Sequence, residues 1–105
     1  MSTTQVRSPI FVLAVALLGL VAVAAPAHAD AVDSNFLGAI ASKGINFASR
    51  QSAIVAGHEV CDELDQGRQA SDVANDVMQQ SNLDGYHAGF FVGVSIAAFC
   101  PRHTQ

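Results

Sequence analysis

The sequence predicts an all-α fold: a small four-helix bundle with one disulfide, preceded by a cleaved signal peptide. Apolar residues recur at helical spacing in four successive segments, which glycines or polar residues separate. The alternating pattern of a β-strand does not compete in any of these segments. The chain has two cysteines, Cys61 and Cys100, and both lie downstream of an apolar leader.

The leader has the three parts of a secretory signal peptide. Arg7 provides a basic start, residues 10–25 form an uncharged apolar run, and Ala27 and Ala29 provide the small residues that signal peptidase accepts. An uncleaved membrane anchor is the alternative, but the run is shorter than the roughly 20 residues that cross a bilayer. We predict a signal peptide over residues 1–29, one helical domain over residues 30–105, and a secreted or cell-envelope location.

The charge of residues 30–105 excludes some partners. Four lysines and arginines stand against nine carboxylates, which gives a net charge of −5. Nucleic acids need clustered cationic side chains, so we expect no nucleic-acid partner. We also expect no stable membrane insertion once the leader has been removed.

The two cysteines are predicted to form a disulfide, because an exported chain with an even cysteine count favours one. A bridge between Cys61 and Cys100 would close a loop of about 40 residues and stabilise the fold by about 4 kcal/mol. A metal pair or two free thiols are the alternatives. The two cysteines lack the CxxC and histidine spacing that is typical of a zinc site.

The first helix is predicted to begin at a cap on Asp33 or Ser34 and to end at Gly44. A glycine in the left-handed position would let Ile45 pack back on Ile40. The apolar stripe of this helix is Phe36, Leu37, Ile40 and Ala41.

The second helix is predicted to begin after a cap on Ser49 and to end at Gly67, with Cys61 on its inward side. Its apolar stripe is Ala53, Ile54, Ala56, Gly57, Val60, Cys61 and Leu64. The third helix is predicted to begin at Ser71, with Asp72 in its first turn, where a negative charge favours the helix dipole. Its stripe is Val73, Ala74, Val77 and Met78.

The fourth helix is predicted from Gly85 to Cys100, with Asp84 as its cap and Pro101 as its stop. It is apolar on nearly every side, which is typical of the buried centre of a bundle. Small residues recur along it at four-residue spacing, namely Gly85, Gly89, Gly93 and Ala97. We expect a neighbouring helix to pack closely on this ridge.

A weak candidate ligand site lies near the start of the fourth helix. Tyr86, His87 and Phe90, together with His58 of the second helix, could hold haem or another apolar ligand. The alternative is that Tyr86 covers the end of the bundle and the two histidines are partly exposed. We predict no metal and no resident cofactor.

Nucleophilic catalysis is not predicted, because the disulfide would consume both cysteines and the serines lack a glycine elbow. The carboxylates of the second helix could form an acid–base set or a cation site. They have the spacing of a solvated helix face and lack the pattern of a calcium loop. They are Glu59, Asp62, Glu63 and Asp65.

Several short motifs resemble the small exported mycobacterial family known as domain of unknown function 732. They are Asn35-Phe36-Leu37, Lys43-Gly44-Ile45, Ala56-Gly57-His58-Glu59-Val60-Cys61, and Phe91-Val92 through Phe99-Cys100-Pro101. The resemblance covers residues 33–101 and implies a signal peptide, a helical domain and a disulfide between the two cysteines. It implies a mycobacterial envelope or extracellular setting and no established activity.

Three functions remain open at this point. The first is a secreted, non-enzymatic module that acts through an unknown protein partner. The second is a carrier or sensor of a small apolar ligand such as haem, and the third and weakest is an enzyme. A cavity beside Tyr86 and Phe90 would favour the second function over the first.

Overall fold

Four α-helices follow one another along the chain in the computed structural model, which describes residues 28–104. Helix α1 covers residues 28–42, α2 covers Arg50–Asp65, α3 covers Ala70–Gln80 and α4 covers Gly85–Phe99. A short 3-10 helix over Pro101–His103 follows α4. Residues 28–104 contain no strand, so the predicted all-α class is confirmed. The predicted signal peptide lies outside the described residues except for its last two.

The end of α1 confirms the predicted glycine stop. Gly44 has a φ of 73°, in the left-handed region that glycine adopts without strain. Its N–H donates to the carbonyl of Ala41, and the N–H of Ile45 donates to the carbonyl of Ile40, each at 3.0 Å. This Schellman arrangement brings Ile40 and Ile45 together in the core, where both are buried.

The predicted start of α1 is wrong. The chain is already helical at residue 28, so neither Asp33 nor Ser34 occupies a capping position. Residues 28–32 include two alanines and no glycine or proline, and alanine has the highest helix propensity. The helix therefore continues upstream of the polar residues that could have capped it.

Side-chain caps start α2 and α4 as predicted. The Ser49 hydroxyl accepts from the N–H of Ser52 at 3.0 Å, and the Ser52 hydroxyl accepts in return from the N–H of Ser49. A carboxylate oxygen of Asp84 accepts from the N–H of His87 at 2.9 Å. Each cap satisfies a backbone donor that the first helical turn leaves free.

The third helix has no such side-chain cap. It begins at Ala70, one residue before the predicted start, and the side chain of Gln69 does not cap it. Gly67, with a φ of 97°, ends the preceding helix as predicted. Asp72 lies in the first turn of α3, where a negative charge favours the helix dipole.

The core lies where α4 packs against α2 and α3, with Phe36 of α1 beside it. The ring of Phe36 lies edge-on to Phe91 at 5.8 Å between centroids and 4.9 Å from Phe99. The most deeply buried side chains are Phe36, Val73, Ala88, Phe91, Ser95 and Cys100. These side chains come from α1, α3, α4 and the residue that follows α4, so a single core connects them.

The two cysteines form the predicted bridge. The sulfur atoms of Cys61 and Cys100 lie 2.04 Å apart, their Cα atoms lie 5.9 Å apart, and 39 positions of sequence separate them. Cys61 faces inward from α2, and Cys100 directly follows α4. The closed loop therefore contains all of α3, and α1 lies outside it.

Candidate functional site

Helix α4 leaves one side exposed, and this open face consists of Gly85, Gly89, Gly93 and Ala97. The prediction that a neighbouring helix packs closely on this ridge is wrong. A Cβ atom built on Gly89 or Gly93 would meet open space, with no packing neighbour within 4 Å. Helices α2 and α3 contact the opposite side of α4, where Phe91, Val92 and Ile96 are buried. The helix is therefore central to the packing without being enclosed.

An apolar groove of about 360 Å³ lies beside the open face, between α1 and α4. Its sides are formed by Val32, Asn35, Phe36 and Ala39 of α1 and by Val94, Ala97 and Ala98 of α4. Asn35 is the one polar side chain among these seven, and none of the seven is charged. Ala97 belongs to both features, so the groove and the open face form one continuous uncharged surface.

Three of the predicted ligand residues lie together at the start of α4. Tyr86 is 63% exposed, and its ring meets the ring of His87 edge-on at 5.1 Å. The Nδ1 atom of His87 lies 2.8 Å from a carboxylate oxygen of Asp84, which is also the helix cap. The ammonium of Lys43 lies 5.5 Å from the ring centre of Phe90 and 5.8 Å from that of Tyr86.

The fourth predicted ligand residue lies at the other end of the helix. The exposed imidazole of His58 stacks on the ring of Phe99, with centroids 4.0 Å apart. Phe99 follows His87 by about 18 Å along the helix axis, at a rise of 1.5 Å per residue. The structure therefore brings Tyr86, His87 and Phe90 together without His58. A ligand site at the first three stays a prediction.

None of the four surface pockets described for this chain is lined by Tyr86, His87, Phe90 or His58. Phe47, which the sequence patterns did not single out, lines three of the four. It is 37% exposed, and its ring lies 5.4 Å from the ring of Phe91. A large aromatic residue in the short stretch between two helices was the signal that could have identified it.

The last carboxylate of α2, Asp65, pairs with two residues near the C-terminus. One oxygen of Asp65 lies 2.5 Å from a guanidinium nitrogen of Arg102 and 2.7 Å from Nε2 of His103. The hydrogen bond from His103 and, to a smaller extent, that from Arg102 lower the pKa of the Asp65 carboxyl. The pairs attach the 3-10 helix to α2, one turn beyond the disulfide.

A second ion-pair cluster joins α2 to α3. The Arg68 guanidinium hydrogen-bonds both Glu63 and Asp76. The hydrogen bond from Arg68 lowers the pKa of the Asp76 carboxyl, and the same bond raises the pKa of Arg68. Within residues 28–104, no set of three or more histidine, cysteine or acidic side chains is arranged to hold a metal ion.

None of the helices described combines the length and the hydropathy that a membrane span requires.

The fold and disulfide define a small, single-bridge helical domain with an uncharged open surface. Residues 30–102 match the family described as protein of unknown function (DUF732), and the chain belongs to this family. It is 34% identical over 91 residues to the uncharacterized protein Rv1271c of Mycobacterium tuberculosis, covering 86% of this chain and 80% of that protein. It is 36% identical over 94 residues to the uncharacterized protein Mb1323c of Mycobacterium bovis, covering 88% and 85%. No solved structure matches the chain.

Proposed function

We propose that this chain is an exported, non-enzymatic helical module that binds a partner protein in the mycobacterial envelope or outside the cell. The observation that carries the proposal is the open face of α4 with its adjoining groove. An uncharged, apolar surface left exposed on a small domain is typical of an interaction site. The net charge of −5 over residues 30–105 lies on other surfaces, since neither the open face nor the groove has an acidic residue.

The chemistry of the surface indicates the partner. Gly89 and Gly93 have no side chain, so a second helix could approach the backbone of α4 closely. Because the groove has no charged lining residue, a charged partner side chain would lose its hydration without gaining an ion pair. We therefore expect the partner to present an apolar helix. A second copy of this chain and a small apolar molecule are the competing occupants.

Export rests on the leader and on the disulfide. Disulfides persist in oxidising compartments outside the cytoplasm, and the leader has the basic, apolar and small-residue parts of a cleaved signal. The test is mass spectrometry of the chain recovered from cells and medium of a mycobacterial host. We expect an oxidised chain that begins at Asp30, outside the cytoplasm. Recovery of only the uncut, reduced chain from the cytoplasm would contradict export.

The binding test compares two variants that each add one carboxylate at an exposed position. Ala97→Glu places the charge in the groove, and Gln79→Glu places it on α3, outside the groove. Both variants should keep the melting temperature of the parent chain. A photo-crosslinker at position 97 should attach to an apolar helical segment of a partner.

Ala97→Glu, tested alongside with the crosslinker moved to the exposed groove residue Asn35, should abolish the crosslink, whereas Gln79→Glu should retain it. Crosslinks equally frequent in both variants would contradict binding at this surface. If the crosslinks instead join two copies of this chain and analytical ultracentrifugation shows a dimer, the surface binds a second copy of the chain and not a different protein.

A second candidate function is carriage of a small apolar ligand, haem included. The groove favours it, because about 360 Å³ falls within the roughly 300–1,000 Å³ of small-molecule sites. Titration of the oxidised chain with haem and with a fatty acid should then raise its melting temperature and, for haem, shift the absorption spectrum. The absence of both effects would reject this function.

A further inference from the structure

A separate pocket of about 120 Å³ lies between α2 and α3, and it is the most enclosed of the four pockets described. None of its lining residues belongs to the groove. Its volume is below the roughly 300 Å³ at which small-molecule sites begin. It is nevertheless about ten times the roughly 10–15 Å³ that one buried water needs. The pocket is therefore of a size to receive one long side chain.

The inner part of the pocket is apolar. Val60 and Phe91 are buried there, and Val77 and Leu83 are half-buried. Phe47 stands at the same pocket with part of its ring exposed. These side chains offer an aliphatic and aromatic surface to whatever enters.

The polar part of the pocket is acidic. Glu59, Glu63 and Asp76 line it, and none of the lining residues is cationic. Arg68 pairs with Glu63 and Asp76 from outside the set of lining residues. One guanidinium against three carboxylates leaves a net charge of −2. The pocket therefore combines an apolar interior with an excess of negative charge.

We propose that this pocket binds an arginine side chain presented by a basic segment of a partner protein. The aliphatic stem of arginine would contact Val77 and Leu83, while its head remains near the acidic residues. The guanidinium would pair with the Glu59 carboxylate and lie against the exposed part of the Phe47 ring. This site goes beyond the proposed function, because it uses neither the open face nor the groove.

The test is NMR titration of the oxidised chain, purified as its mycobacterial host processes it, with two small probes. Acetyl-arginine amide carries the stem and the charge, and acetyl-norleucine amide carries a similar stem without the charge. We expect the arginine probe to shift the methyl signals of Val77 and Leu83. Its dissociation constant should be about 1 mM or weaker, because a single side chain lacks the other contacts that a partner protein would add. The norleucine probe should bind at least about threefold more weakly, and salt should weaken the arginine probe alone.

A matched pair of variants tests the charge. Glu59→Gln removes the unpaired carboxylate of the pocket, and Asp62→Asn removes an exposed carboxylate of α2 that does not line it. Glu59→Gln should weaken the arginine probe about threefold to fivefold, and Asp62→Asn should have less effect. Equal binding of both probes, or equal effects of both variants, would overturn the proposal. Failure of the crosslinking test at position 97 would leave this result unaffected, so the two proposals can fail separately.

Discussion

Gly57 in α2 and Gly93 in α4 are both helical glycines, but their surroundings are opposite. A Cβ atom on Gly57 would lie 2.8 Å from ring carbons of both Phe36 and Phe99, closer than packed atoms approach. A Cβ atom on Gly93 would meet open space. Packing within the chain therefore explains the first glycine and does not explain the second. A glycine inside a helix costs about 1 kcal/mol of stability relative to alanine. Under the proposed function, close contact with another molecule explains why a glycine stands at position 93 despite this cost.

The crowded side of the domain is defined by Gly57 and the aromatic rings that cover it. Cys61 lies one turn after Gly57, and Cys100 directly follows Phe99, so the disulfide closes this side. The open face has no comparable restraint. Changes on the crowded side should therefore alter stability, whereas changes on the open face should alter binding.

The largest effect is expected from removing the disulfide. Replacing Cys61 and Cys100 with alanine should lower the free energy of unfolding by about 4 kcal/mol, because the unfolded chain regains freedom over a loop of about 40 residues. The melting temperature should fall by about 15–30 °C, measured by circular dichroism. The helical signal at low temperature should persist, because the caps of α2 and α4 are local. An unchanged melting temperature would show that the bridge is not the main restraint.

The next largest effect is expected at Gly57. Alanine there must push apart the rings of Phe36 and Phe99, and overpacking of this kind costs about 1–3 kcal/mol. The better helix propensity of alanine offsets up to about 1 kcal/mol of that loss. We expect a lower midpoint in urea unfolding with an unchanged slope. A gain in stability would mean that the rings can move aside without loss.

Helix boundaries were largely predictable from the sequence, because caps depend on a few neighbouring residues. Ser49, Asp84, Gly44 and Gly67 each act as predicted, through hydrogen bonds to the backbone or through positive φ values. The start of α1 was predicted wrongly, because a potential cap such as Ser34 does not end a helix that upstream residues continue. The disulfide followed from cysteine count and compartment.

The exposed side of α4 could not be predicted from periodicity. The helix is apolar nearly all round, so the pattern does not distinguish a buried side from an exposed one. The pocket between α2 and α3 was missed for a related reason. Glu59, Glu63 and Asp76 come from two helices, and only tertiary packing places them around Val60 and Phe91.

Alanine substitutions on the open face should change stability in the opposite direction to Gly57→Ala. Gly89→Ala and Gly93→Ala should each stabilise the chain by up to about 1 kcal/mol, because the new methyl group meets no neighbour. Urea unfolding measures this gain. The crosslinking yield at position 97 should fall in the same variants, because the partner helix can no longer approach as closely. Destabilisation by either substitution would show that this face is packed within the domain.

The smallest effect on stability is expected from lowering the pH. Hydrogen bonds from His103 and Arg102 lower the pKa of the Asp65 carboxyl below its usual 3.8, so its ionised form stabilises the fold above about pH 4. This contribution is lost as the pH falls through the lowered pKa. Asp65→Asn should therefore melt slightly lower than the parent at pH 7 and lose less between pH 5 and pH 2.

Asp62→Asn is the control for acid, because it removes an exposed carboxylate from the same helix. It should follow the parent chain across the whole pH range. If the melting temperatures of the parent and of Asp65→Asn change equally with pH, the pairs at Asp65 do not stabilise the fold.

Because the groove has no charged lining residue, mild acid should leave crosslinking at position 97 unchanged for as long as the domain stays folded. Acid can thus weaken the crowded side while the open face keeps its partner, which separates the two sides without any substitution at a glycine.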